Sequence, residues 1–262
     1  MDKLLIYIPT LGREGRQITL KSIPEEWKDR VFLVCPSAEN HEWDNRIDVP
    51  EYCIGSVAKT RQFILDSSES KFVGMLDDDL SFYERDSIIL TKTTRLESIE
   101  KYFSLMESWL MSGDVYCTQA NSFMSHNNPE EYYYGKPSHS HFVNRDYLKS
   151  KDIRFDALSY FEDFHVPLSV LECGKRLRIS GKYIAKEKEA NASGGCSINR
   201  TADNNKTAMY KLQELHPKYV TLKEEEGATN QNLVVDLKMR ISFKKAYDDN
   251  VIKNSGILDD FM

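Results

Sequence analysis

The chain lacks any run of 18 apolar residues, so no segment reads as a transmembrane helix. It lacks a CxxC pair, and its 5 cysteines (Cys35, Cys53, Cys117, Cys173, Cys196) are scattered and odd in number. That excludes a disulfide framework and reads as reduced, mostly buried thiols. An excess of positive charge is also missing: 35 Lys+Arg stand against 41 Asp+Glu, a net charge of −6. A globally basic nucleic-acid binder is excluded, and a local basic face is not. There is no GxGxxG, no Walker loop, no internal repeat and no low-complexity tract. No small-residue cleavage site follows the apolar start MDKLLIYIP. This start reads as a first strand and not as a signal peptide, which places the chain in the cytoplasm. Neither a membrane anchor nor a protein partner is legible.

What is present is enough to bury a core: 262 residues, 40% hydrophobic and 11% aromatic. The first half alternates apolar runs with helical patterns, which predicts an α/β fold with an open sheet flanked by helices. Residues 3–9 and 30–36 read as buried strands, each ended by proline. Ser56 to Ser67 reads as a helix with Ser56 as N-cap. KFVGMLDDDL is a strand, Phe72 to Leu76, running into three aspartates. Leu96, Ile99, Phe103, Met106 and Leu110 have helical period over 95–111. Further strands are expected at 114–123 and 138–143, and helices at 145–150, 163–173 and 205–215. A basic strand pair is expected at 176–185, a flexible loop at 191–196 and a loose polar tail from Asp248. No linker is visible, so the chain reads as one domain. Residues 1–125 read as a nucleotide-like half, 126–247 as an irregular half and 248–262 as a polar tail.

The chemistry concentrates at Asp77-Asp78-Asp79. Adjacent carboxylates at a sheet edge repel one another and resist desolvation, and a divalent cation relieves both costs. Carboxylate oxygens suit Mg²⁺ or Mn²⁺, and alternation along a strand lets Asp77 and Asp79 point the same way. In open α/β sheets ligands bind beyond the carboxyl ends of strands. The first turn, IPTLGREGR, therefore offers Thr10, the backbone at Leu11–Gly12, and Arg13 for a phosphate. Arg61 falls mid-face on its helix, where an arginine is unexpected unless it has a partner, and it reads as a phosphate contact or as part of a solvated face. Glu162-Asp163 lies between two phenylalanines in SYFEDFHVP. It reads either as a helix cap or as a general base whose pKa is raised by burial.

The order of these parts resembles the GT-A fold of nucleotide-sugar glycosyltransferases: a PTxGR-type turn, an arginine-bearing helix, a strand ending in DDD, then ED about 85 residues later. The resemblance covers roughly residues 3–190. It implies an open, Rossmann-like mixed sheet and transfer of a sugar from a nucleoside-diphosphate sugar to an acceptor hydroxyl. By resemblance, Pro9, Thr10, Gly12, Arg13, Arg61, Asp77 and Asp78 contact the nucleotide sugar. Asp77 and Asp79 hold Mn²⁺ or Mg²⁺, Asp163 is the catalytic base, and Glu162 supports acceptor or sugar. One departure stands out. KEKEANASGG has no histidine where the family supplies a further metal ligand, leaving Glu189, Asn191 or a returning His216 as substitutes.

The absent stem and small size are similar to phage-encoded enzymes that glycosylate hydroxymethylated pyrimidines in DNA, which implies a DNA acceptor. Lys175, Arg176, Arg178, Lys182, Lys186 and Lys188, with Lys238, Arg240, Lys244 and Lys245, are candidate phosphate contacts or a solvated strand face. A base would have to be flipped to reach Asp163. Tyr132, Tyr133 and Tyr134 would then stack a base or sugar, or simply pack a loop. His139 and His141 would share a face as a metal pair or as a polar wall. A glycan or small-molecule acceptor is the nearest alternative. A nucleotidyltransferase would release pyrophosphate, and a cation-dependent binding module would show no turnover.

Overall fold

The computed structural model describes residues 2–86, 93–121, 130–137, 139–187, 201–230 and 233–253. The expected loop at 191–196, the candidates Glu189 and Asn191, Lys188, the end of the strand at 114–123 and the tail beyond 253 lie outside these residues. In chain order the elements are β1 (Leu5–Pro9), β2 (Val31–Cys35), β3 (Arg46–Asp48), α1 (Val57–Ser67), β4 (Phe72–Leu76), β5 (Leu80–Arg85) and β6 (Thr93–Arg95). Then come α2 (Glu100–Met111), β7 (Tyr116–Asn121), β8 (Glu131–Tyr132), β9 (Ser140–Asn144), α3 (Arg145–Ser150), α4 (Glu162–Glu172) and β10 (Arg178–Glu187). The C-terminal part holds α5 (Ala202–Leu215), β11 (Val220–Glu224), β12 (Thr229–Asn230), β13 (Leu233–Val234), β14 (Leu237–Ile241) and α6 (Phe243–Tyr247).

Strands β1 to β10 form one mixed sheet in the order β3-β2-β1-β4-β9-β7-β10-β5-β6, with β8 also on β10. The first four in that order are parallel. β9 is antiparallel to β4 and β7, and β10 runs parallel to β7 and antiparallel to β5. The chain moves outward from β1 to β3 and then returns to the other side of β1 as β4. That reversal opens a crevice at the carboxyl ends of β1 and β4, the position where such sheets bind ligands.

Alternation along the strands splits the core into two layers. Tyr7, Val73, Met75 and Val143 face a cluster with Ile64, Leu65, Leu168 and Leu171 from α1 and α4. Ile6, Ile8, Leu76 and Phe142 face Tyr102, Phe103, Met106 and Leu110 of α2. Gly74 marks the tightest point of the second layer. A Cβ there would lie 2.6 Å from Ile6 Cδ1 and 2.9 Å from Phe142 Cε1. Gly74→Ala is expected to cost about 1–3 kcal/mol through overpacking, read as a lower urea midpoint; an unchanged midpoint would contradict this packing.

Several sequence expectations change. The basic strand pair at 176–185 is a single ten-residue strand, β10, because its partners come from β5, β7 and β8 instead of from itself. Asp163 is not a helix cap. Phe161 holds the N-cap position at φ 67°, and both acids lie in the first turn. Residues 220–241 contain short strand pairs that their polar sequence did not announce. Cys35, Cys53 and Cys117 are free and buried as expected, and Cys173 is exposed. Among the described residues no helix is long and apolar enough to cross a membrane.

Candidate active site

The aspartate turn sits in the crevice because β4 ends at Leu76 and β5 begins at Leu80. Its backbone is tied down from the first loop. Ile18 and Thr19 N–H donate to the Asp78 carbonyl, the Thr19 hydroxyl donates to the Asp77 carbonyl at 2.6 Å, and Leu80 N–H donates to Thr19 Oγ1 at 2.9 Å. Satisfying these groups makes a rigid turn from a stretch that like charges would otherwise drive apart.

The side chains divide into two charged groups. In the first, the Thr10 hydroxyl and Arg13 both donate to Asp78, and Arg13 Nη1 also donates to Asp79 Oδ2 at 2.8 Å. Gln17 Nε2 donates to Thr10 Oγ1 at 2.7 Å and fixes that hydroxyl's direction. In the second, Arg61 from α1 donates to Glu162 Oε1 at 2.7 Å and to Asp77 Oδ1 at 2.8 Å. Asp77 Oδ2 lies 3.6 Å from His139 Nδ1, which is 2.9 Å from Glu187 Oε1. The result is a chain of alternating charge, Glu162–Arg61–Asp77–His139–Glu187. It joins the DDD turn to the ED helix and to the ends of two further strands.

The antiparallel course of β9 supplies His139. Leu76 pairs with Ser140, and Asp77 N–H donates to the His139 carbonyl at 3.1 Å. β10 ends at Glu187, which pairs with Leu80 and so points back at the same turn. Asp77, His139 and Glu187 offer ligand atoms within 4.8 Å of one another. Their side chains are 28%, 29% and 32% exposed, so a small ion can reach them from solvent. Two carboxylates and an imidazole are a fitting donor set for a hard to borderline divalent cation.

The charges around this group shift one another's protonation. Burial pushes the Asp77 carboxyl up, but Arg61, followed by His139, brings it down to about 2. Burial opposes charge on His139, yet its bonds to Asp77 and Glu187 raise the imidazolium to about 10. Asp79 is pushed up to about 6 by burial and by the Asp77 charge, against Arg13. Glu162 and Asp163 are both raised by burial, against Arg61 for the first and Lys136 then Arg61 for the second. The signs then follow. The depressed Asp77 stabilises the fold above its unfolded value of about 3.9 and loses that contribution as pH falls toward 2. The raised His139 stabilises below about 6.5 and loses that as pH climbs through 10. The raised Asp79 weakens the fold as pH rises from about 3.9 to 6. A divalent cation must displace the His139 proton and gains from an ionised Asp79. Mn²⁺ is therefore expected to raise the melting temperature more at pH 8 than at pH 5.5. Equal gains at both pH values would contradict this ligand set.

The residues named from the sequence fall as follows. Thr10, Arg13, Asp78 and Asp79 meet in one group, and Arg61, Asp77 and Glu162 in the other. Arg61 is 4% exposed, and both terminal nitrogens are engaged by carboxylates rather than open to phosphate. Asp163 is part-exposed one residue beyond Glu162. Pro9 ends β1, and Gly12 stands apart at φ 66°, its N–H donating to Glu39 Oε1 at 2.8 Å. His139 and His141 do not pair. His141 is buried, 2.6 Å from the Tyr116 hydroxyl through Nδ1. His216 does not reach the aspartates, since its nitrogens meet Glu172 and His165. The basic residues are largely ion-paired: Arg178 with Asp114 and Glu131, Lys182 with Glu84, Lys238 with Glu225, Lys244 with Asp248 and Lys245 with Asp249. They are spread over β10, β14 and α6 and do not form one strand face. Glu187 escaped sequence reasoning; its position at the end of a long alternating strand was the available signal.

Comparison with known proteins bears on the fold and the family. No curated protein sequence matches the chain. Among solved structures, S. aureus TarS 1–349 in complex with UDP-GlcNAc is similar at 12% identity and a TM-score of 0.50, over 81% of this chain and 66% of that one. GalNAc-T7 with UDP, GalNAc and Mn²⁺ is similar at 8% identity and a TM-score of 0.53, over 82% of this chain and 48% of that one. The chain thus spans less than two thirds of either structure's length. At these identities the likeness shows the fold, a GT-A-like α/β sheet. A family profile described as TET-associated glycosyltransferase matches residues 4–195, and the matched segment contains every charged residue of the crevice. The chain belongs to the TET-associated glycosyltransferase family.

Proposed function

We propose that the chain transfers a sugar from a nucleoside-diphosphate sugar to the hydroxyl of a hydroxymethylated pyrimidine in DNA. The observation that carries the transferase reading is the ion-pair chain from Glu162 to Glu187, which joins the DDD turn and the ED helix at the crevice. Family membership favours it over a nucleotidyltransferase or a binding module. UDP and UDP-GlcNAc in similar folds support a uridine diphosphate donor.

In this reading Thr10 and Arg13 line the donor side. Arg13 is 16% exposed and is held by two aspartates, so it is aimed before a phosphate arrives. Mn²⁺ or Mg²⁺, held by Asp77, His139 and Glu187 with Asp79 alongside, would neutralise charge on the departing diphosphate. Asp163 takes the proton from the acceptor hydroxyl. The acceptor oxygen bonds to the anomeric carbon as the bond from that carbon to the diphosphate oxygen breaks. A direct displacement of this kind inverts the anomeric centre. Glu162, tied to Arg61, holds the ED turn in place and is not free to act as base.

The DNA acceptor rests on the motif order and on a family described by association with TET, not with a glycan or a lipid. The test is to supply UDP-glucose, UDP-GlcNAc and Mn²⁺ with duplexes containing cytosine or 5-hydroxymethylcytosine. UDP release and a hexose mass gain confined to the hydroxymethylated duplex are expected. Sugar transfer to a glycan in place of either duplex would overturn the acceptor, and pyrophosphate release would overturn the reaction type.

A further inference from the structure

The ED helix has a weak first turn. Phe161 precedes it in left-handed backbone at φ 67°, and no side chain caps it. Strain of this kind costs on the order of 1–3 kcal/mol and persists only where the surroundings enforce it. Pro167 lies inside the helix, so the Asp163 carbonyl receives no N–H from four residues ahead. Local sequence therefore leaves the segment bearing Glu162 and Asp163 poorly fixed, and something outside it must hold it.

The C-terminal part, residues 201–253, lies beyond the family match at 4–195 and packs on this helix. His216 follows α5 and reaches across two turns of α4. Its Nδ1 is 2.6 Å from Glu172 Oε2, and its Nε2 is 2.9 Å from His165 Nδ1. His216 Nδ1–H donates to Glu172, and His216 Nε2 shares a hydrogen bond with His165 Nδ1. His216 is 2% exposed and His165 is 7% exposed, which shields the bond between the two imidazoles from water, while Glu172 meets solvent. The two contacts fall on either side of Pro167, and the first, at His165, lies two residues from Asp163. A second contact lies nearer the acceptor side, where Phe243 of α6 packs on Phe164 with ring centroids 6.3 Å apart. Tyr247 stacks on Tyr133 and Tyr134 of the loop that carries Lys136.

We propose that residues 201–253 are a clamp on the ED helix, and that His216 is the positioning residue through which they hold Glu162 and Asp163 in register with Arg61 and Asp77. For its effect on turnover, the inference rests on the transferase reading above. Its effect on the helix does not. Donor contacts come from β1, β4 and their loops, which His216 does not touch. The clamp therefore governs turnover and leaves donor binding alone.

The full chain with His216→Ala tests this. Amide exchange across 163–168 should accelerate about 10-fold or more as the local opening energy falls, with β1 and β4 unchanged. Turnover should fall about 10-fold or more, with the UDP-sugar KM within about twofold of wild type. Glu172→Gln, a milder change at the far end of the relay, should move both readouts in the same direction and decides the matter should His216→Ala not fold. Unchanged exchange at 163–168 in the folded variant would overturn the clamp. So would a rise in donor KM that matches the loss of turnover. If wild type itself transfers no sugar, the transferase reading fails, and exchange alone judges the clamp.

Discussion

Asp163→Asn is expected to lower turnover by about 10²–10⁴-fold, the range a positioned general base supplies, while UDP affinity stays within about twofold. The amide keeps the size and polarity of the side chain and removes only its capacity to take a proton. Asp163 stands in the first turn of α4, part-exposed to the crevice, beside a Glu162 that Arg61 immobilises. Burial raises its pKa, against the pull of Lys136 and Arg61. A raised carboxylate is a stronger base, which suits the proton-accepting role. Turnover and donor affinity are measured on the same preparation. A loss of UDP affinity as large as the loss in turnover would move Asp163 from the acceptor side to the donor side.

The second large effect is on stability. Arg61→Met should cost about 3–5 kcal/mol, because it leaves the buried Glu162 carboxyl and Asp77 without the cation that pairs both. The methionine fills part of the space, so the loss reports charge more than cavity. Arg61→Met combined with Glu162→Gln should recover part of it, since the uncompensated charge is then gone. Urea denaturation of wild type, the two single variants and the double variant completes the cycle. A double variant no more stable than Arg61→Met would mean that Arg61 acts through packing alone.

The sequence made part of this site legible for simple reasons. An apolar strand running into three carboxylates has few structural explanations, and Asp77 to Asp79 do end β4 at the crevice. An arginine in the apolar stripe of a helix demands a partner, and Arg61 has two. Ser56 as N-cap followed from local rules and holds in the structure, and the α2 stripe holds from Glu100 onward, with Leu96 and Ile99 ahead of the helix. Other parts depend on long-range pairing that no local pattern encodes. His139 joins Asp77 only because β9 inserts antiparallel beside β4. Glu187 joins them only because β10 is one long strand, where two short ones were expected. The Glu162-Asp163 pair favoured a cap on local chemistry, and tertiary packing forced Phe161 into that position instead. The clamp was hidden because β11 to β14 are short and polar, and because the His216 partners lie 44 and 51 residues away.

The central claim is that the crevice binds a nucleoside diphosphate with a divalent cation. Calorimetric titration of the full chain with UDP, in Mn²⁺ and then in EDTA, tests it directly. Binding that needs Mn²⁺ and is lost in Asp77→Asn is the result the site predicts. No heat from UDP or any other nucleoside diphosphate at millimolar concentration with Mn²⁺ present would contradict it and remove the DDD turn from donor binding.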